Sequence, residues 1–287
     1  MTTSDTTAAL AGDQRSRLVL AAADGARAEL YLHGAHVSSW IPAGGGERLF
    51  LSSTAVYRDG LPIRGGVPVI FPQFADRGPL PKHGFARTAR WSLVSSARDA
   101  VGCAIADLRL TDDDESRRLW PHAFVADLTV RVGGDALELS LAVRNRGADP
   151  LSFTTALHTY LRVRDIAGVA LVGLRGVTYT DSAHGGRSAV QLEERLRFEG
   201  EMDRVYVGAP AHLLVDEASH QTRVEASGFV DCVVWNPGAT RGASFDDLEP
   251  GGYARFVCVE AAVAASPVVL APGQSWQGTQ RLIATTS

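Results

Sequence analysis

Lysine is almost missing from this 287-residue chain: Lys82 is the single lysine among 28 basic residues, and arginine fills the other positions. Cysteine is also scarce. Cys103, Cys232 and Cys258 are odd in number, widely spaced and without a CxxC pair, which excludes a disulfide framework and a zinc ribbon and reads as three reduced core residues. No apolar run approaches the roughly 18 residues that span a bilayer. Residues 1–11 carry neither a basic residue nor an apolar run, so they lack the parts of a secretory signal, and a frayed tail in a cytoplasmic protein is expected. The 28 basic and 32 acidic residues leave a net charge of -4, with no overall field to hold a nucleic acid backbone. Three motifs are absent as well: the GxxxxGK[ST] phosphate loop, a GxGxxG after a strand, and the GxSxG nucleophile elbow.

What is present is apolar material for a large core, 45% of the residues, with 21% charged. The dominant apolar period is two. Leu137, Leu139, Leu141 and Val143 alternate with Glu138, Ser140, Ala142 and Arg144, the pattern of a strand with one dry face. Similar runs cover residues 17–22, 28–33, 125–132, 151–163, 229–235, 255–263 and 281–284. Turn signals punctuate them at Gly44–Gly46, Gly133–Gly134, Pro237–Gly238, Pro250–Gly252 and Pro272–Gly273. Without a linker or an internal repeat, residues 1–287 are expected to form one all-β domain, a sandwich or barrel. The acidic run Asp112–Glu115 reads as a solvated loop, with metal binding as the alternative.

Three segments carry candidate chemistry, whereas His33 and His36, spaced for neither a strand face nor a HExxH helix, read as histidines near a strand end. In residues 151–163 the odd positions are mostly apolar, and His158 stands on the other face between small neighbours Thr154 and Ala156. It is either a structural histidine or part of a cleft floor. Glu260 sits inside the apolar run 256–263, where an unpartnered buried carboxylate costs several kcal/mol. An ion pair or a general base, its proton affinity raised by burial, would each account for it. The segments 64–68 and 81–87 join glycines, which let a backbone approach a ligand closely, to Arg64, Lys82, His83 and Arg87, donors suited to a phosphate. They form either an anion site or an exposed basic loop.

Taken in order, residues 34–40, 64–68, 80–87 with Trp91, 155–160, 202–206, 234–238 and 256–261, closed by 270–274 with Trp276, resemble the aldose 1-epimerase family, and more closely its hexose-6-phosphate branch. The resemblance implies a mainly antiparallel β-sandwich of the galactose mutarotase type. It implies exchange of the α and β anomers of a hexose 6-phosphate without metal or organic cofactor. It places His158 and Glu260 on the catalytic positions, Arg64 and Arg87 on phosphate-binding positions, Lys82 on a substrate-contacting position and Asp203 on a hydroxyl-binding one, with His83 in the same loop. Lys82 departs from the glutamine or serine common in relatives, and Asp247 lies in a loop that matches only loosely.

On this reading Glu260 as carboxylate takes the C1 hydroxyl proton while a charged His158 protonates the ring oxygen. The partner is a small sugar phosphate, with no nucleic acid and no membrane, and the protein acts as a monomer. The alternatives are an epimerase of unphosphorylated aldoses with the same pair, and a non-catalytic sugar-phosphate binding module on the same scaffold.

Overall fold

Alternation of apolar and polar side chains becomes three antiparallel sheets in the computed structural model, which describes residues 17–218 and 220–285. The frayed tail expected at residues 1–11 lies outside the described residues. Arg17–Ala21, Arg27–Tyr31 and His36–Ile41 form a small sheet. A nine-stranded sheet runs in the order Arg195–Arg197, Ala170–Val172, His212–Glu217, His220–Ser227, Ser275–Thr285, Ala136–Asn145, Phe124–Gly133, Ala104–Thr111, Ser92–Arg98. The third sheet, eight-stranded, has the order Arg187–Val190, Thr178–Asp181, Met202–Tyr206, Asp231–Asn236, Phe256–Leu270, Leu151–Leu157, Val69–Ile70, with Tyr160–Arg162 pairing to Phe256–Leu270. Leu137, Leu139, Leu141 and Val143 are fully buried in the main core with Leu157, Val257, Val259 and Val263 of the eight-stranded sheet. Burying each leucine-sized side chain is worth about 1.5–3 kcal/mol, and this interior drives the sheets together.

Residues 256–264 are buried on both faces of their strand, which is why they read as a continuous apolar run. Val257, Val259, Ala261 and Val263 enter the main core. The other face divides between two smaller clusters: Phe256 and Cys258 pack with Phe50, Tyr160, Trp235 and Leu248, while Ala262 and Ala264 pack with Ile70, Phe74, Ala156, Val205 and Val233. Glu260 lies between them on that second face.

Four expectations are corrected. Residues 151–163 are two strands rather than one, interrupted at His158–Thr159, and the even positions from Ala156 to Tyr160 are buried like the odd ones because that face lies against other chain segments. The acidic run is solvated but only half loop, since Asp114 and Glu115 open a helix. Asp113 caps the helix Asp114–Leu119 by accepting from the Ser116 amide, with Ser116 returning a bond to the Asp113 amide, and Asp112 pairs with Arg117. Those carboxylates are thereby committed to the helix and not to a metal. Of the three cysteines, all unpaired, Cys232 and Cys258 are buried but Cys103 is only half-buried. Finally, the close approaches that Gly65 and Gly84 permit are to protein backbone. A Cβ on Gly65 would stand 2.4 Å from the Phe50 carbonyl oxygen, and one on Gly84 2.2 Å from that of Phe71.

Candidate active site

The ladder between Leu151–Arg162 and Phe256–Leu270 keeps one register across its interruption, since Leu157 faces Ala261 and Tyr160 faces Cys258. His158 therefore stands opposite Glu260. Its Nε2 lies 3.3 Å from Glu260 Oε1, with both side chains buried. Tyr160 stacks on the imidazole at 4.9 Å and 12°, while Trp235 and His83 meet it edge-on at 5.7 Å. These rings fix the imidazole plane. Glu260 Oε2 and His158 Nδ1 are buried without a hydrogen-bond partner, an expensive arrangement for a site that only holds the fold together.

The pair lies in the wall of a cavity of about 390 Å³. Asp203, from Met202–Tyr206, lines the same cavity, as do Arg64 from the loop before Val69–Ile70, Lys82 and His83 from the loop after it, and Arg87 from the short 3-10 helix Ala86–Thr88. Arg64 is held on three sides: it donates to Asp247 Oδ1 at 3.1 Å and to the Tyr160 hydroxyl at 3.2 Å, and its guanidinium lies over the Phe245 ring at 4.6 Å. Arg87 has no carboxylate partner among the described residues. Its Nη2 donates to the Lys82 carbonyl at 2.9 Å, and its Nε is shielded from water and unpartnered. In His83 the Nδ1 accepts from the Ala75 amide at 3.3 Å, which leaves the ring proton on Nε2.

Burial dominates the electrostatics. It raises Glu260 well above the usual carboxylate range, with Asp203 adding to the effect and Arg87 opposing it. His158 is pushed far below the usual imidazole value by burial and then by Arg87 and Arg64. The two shifts favour the uncharged pair, with the shared proton on Glu260, over the carboxylate and imidazolium expected from sequence. Burial also draws Arg87 down to about 10, still charged near neutrality, and raises Asp203. For Arg64 burial acts downward, but Tyr160 and Asp247 outweigh it and hold the cation firmly charged.

All seven residues singled out in the sequence, His158, Glu260, Arg64, Lys82, His83, Arg87 and Asp203, line this one cavity. The basic loop is thus not merely an outer surface, although Lys82 itself is exposed to solvent. Sequence reasoning missed Tyr160, Trp235 and Phe245, which shape the cavity, and Arg77 and Arg241, which line it. Tyr160 and Trp235 fall inside the motifs already noted, so their signal was present. Arg77 and Arg241 carry no pattern of their own. Asp247, left aside because its loop matched loosely, is the carboxylate that anchors Arg64 from 183 residues away.

The sequence profile of the aldose 1-epimerase family matches residues 16–282. A "Putative glucose-6-phosphate 1-epimerase" of Cenchrus ciliaris is 37% identical over 282 residues, covering 94% of this chain and 85% of the relative. A protein of the same description from Escherichia coli K12 is 39% identical over 246 residues, covering 83% and 80%. The crystal structure of a "putative mutarotase" from Salmonella typhimurium superposes with a TM-score of 0.87 at 30% identity, covering 94% of this chain and 90% of that one.

Proposed function

As the chain belongs to the aldose 1-epimerase family, we propose that it interconverts the α and β anomers of a hexose 6-phosphate, with glucose 6-phosphate as substrate. The observation that carries this reading is one cavity holding both an acid–base pair and a guanidinium, that of Arg87, with no carboxylate partner among the described residues. A binding module needs no such pair, and a site for neutral sugars needs no such cation. Two relatives named for glucose 6-phosphate support the choice of substrate.

The phosphoryl group is received by Arg87 and Arg64, with Lys82 as a point charge at the rim, each charge-assisted bond being worth about 1.5–3 kcal/mol. Asp203 accepts from sugar hydroxyls, and the His83 Nε2 proton is available to a sugar oxygen. A phosphate dianion offsets the cations that depress His158, so the shared proton can pass from Glu260 to the imidazole. Glu260 then removes the C1 hydroxyl proton while His158 protonates the ring oxygen. The bond from C1 to the ring oxygen breaks and the aldehyde forms. Rotation about C1–C2 and closure on the opposite face, with both protons returned, gives the other anomer and restores the pair. Acid and base contribute about 10²- to 10⁴-fold each.

The three unpaired thiols support a reducing compartment, the cytoplasm, and the working unit is read as a monomer. Magnetisation-exchange NMR on glucose 6-phosphate, glucose and galactose tests the reading. Acceleration confined to the phosphorylated sugar is expected. Acceleration of free sugars alone would reassign the protein to unphosphorylated aldoses, and saturable sugar-phosphate binding without acceleration would leave a binding protein.

A further inference from the structure

Between the two large sheets, in the apolar interior, lies the carboxamide of Gln280. The residue is fully buried on Ser275–Thr285, opposite Leu139 and between Gly278 and Leu282 on the inward face. A buried amide needs partners, and those of Gln280 come from the other sheet. Its Nε2 donates to the Val259 carbonyl at 3.0 Å, and its Oε1 accepts from the hydroxyl of Thr159, itself fully buried. The amide orientation is forced, because a carbonyl can only accept. Val259 precedes Glu260 and Thr159 follows His158, so one side chain grips the backbone beside both members of the acid–base pair.

The ladder explains why that grip exists. In an antiparallel hydrogen-bonded pair, two residues exchange both amide bonds. Val259 and Thr159 make only one of the two, the Val259 amide donating to the Thr159 carbonyl at 3.2 Å. The Thr159 amide turns instead to the Leu157 carbonyl at 2.9 Å, which interrupts the strand at His158–Thr159 and leaves the Val259 carbonyl without its ladder donor. Gln280 Nε2 fills that vacancy. His158 and Glu260 occupy the neighbouring, non-hydrogen-bonded position, where opposing side chains approach most closely.

We propose that Gln280 is a positioning residue for the acid–base pair: its carboxamide replaces the missing ladder bond and fixes the local backbone offset that holds His158 against Glu260. This inference rests on the reading of His158 and Glu260 as the reacting pair. Gln280 itself does not line the cavity and touches no substrate.

Gln280→Met, close in shape but without the amide, is the test. The variant is expected to keep the KM for glucose 6-phosphate within about twofold and to lose about 10- to 100-fold in kcat, the cost of a misplacement on the ångström scale. The pH profile of kcat should shift as well, because the contact between the two titrating groups changes. Thr159→Val should lose rate in the same direction, and Thr159→Ser, which restores a hydroxyl, should recover it. A folded Gln280→Met with the wild-type kcat and pH profile overturns the proposal. If Gln280→Met does not fold, the Thr159 variants decide: loss in valine with recovery in serine supports the role, and wild-type behaviour in valine overturns it. The imidazole resonances of His158 supply a readout independent of turnover. Should the wild type fail to exchange glucose 6-phosphate, the functional reading falls, while a shift of those resonances in Gln280→Met still supports the positioning role and unchanged resonances overturn it.

Discussion

Replacing Glu260 by glutamine should remove activity and at the same time stabilise the fold in mildly alkaline solution. Unfolded, the glutamate titrates near 4.5 and the histidine near 6.5. Folded, burial raises the first and lowers the second, so the pair keeps one proton throughout the interval between. The contribution of Glu260, whose folded value is raised, is complete below 4.5 and is lost as pH rises; that of His158, whose folded value is lowered, is present above 6.5 and is lost as pH falls. Between the two values these dependences cancel. Above 6.5 the unfolded pair holds no proton and the folded pair one, so wild-type stability falls by about 1.4 kcal/mol per pH unit until the raised value of Glu260 is reached. In Glu260→Gln neither state binds a proton there, and the dependence disappears. From pH 6.5 to pH 8 the variant should therefore gain on the wild type, at about 1.4 kcal/mol per pH unit for as long as the folded Glu260 keeps its proton. Scanning calorimetry of both proteins at the two pH values reads this directly, and contributions common to both cancel in the difference. A Tm difference that stays constant from pH 6.5 to pH 8 would show Glu260 already ionised in the fold and would refute the reasoning.

Other consequences follow from the same geometry. Arg87→Ala should raise the KM for glucose 6-phosphate roughly 10- to 150-fold, the equivalent of one charge-assisted bond, and far more than it changes any activity on free glucose; equal losses on both sugars would contradict the phosphate role. Two further buried histidines make the fold acid-sensitive. His36 is held down to about 3 by burial and by His33, and His83 is lowered by burial and by His158. Both folded values are depressed, so each contributes stability that is present above 6.5 and is lost by about 1.4 kcal/mol per unit as pH falls. Thermal melts between pH 6.5 and 5 test this, and a flat Tm would count against it. Gly84, at φ +67° with its Cβ position 2.2 Å from the Phe71 carbonyl oxygen, should not accept a side chain. Gly84→Ala is expected to lower Tm and to weaken sugar-phosphate affinity by displacing the neighbouring His83; a native Tm and KM would refute the constraint.

How much of this was legible in the sequence depended on whether the signal was local. Alternation over residues 136–145 identified a strand because its inward leucines face one interior. The same rule placed His158 opposite the dry face of its strand, and Glu260, an isolated carboxylate in an apolar run, was conspicuous without it. The rule misread residues 151–163 as one strand because both faces are buried near His158, and burial hides the break at Thr159. It recognised only residues 281–284 of the strand Ser275–Thr285, since Gln280 and the neighbouring polar residues break the apolar period. The polarity of Gln280 makes sense only against the carbonyl of Val259 on another sheet. Asp247 was similarly silent, because what it anchors, Arg64, is distant in sequence.

The central claim is that His158 and Glu260 together exchange the anomers of a hexose 6-phosphate. The α to β exchange rate of glucose 6-phosphate, measured by magnetisation-exchange NMR with the wild type, His158→Ala and Glu260→Gln, tests it most directly. The account predicts acceleration by the wild type and about a 10²- to 10⁴-fold loss in each variant, with folding intact. Exchange at the wild-type rate in either folded variant would contradict it.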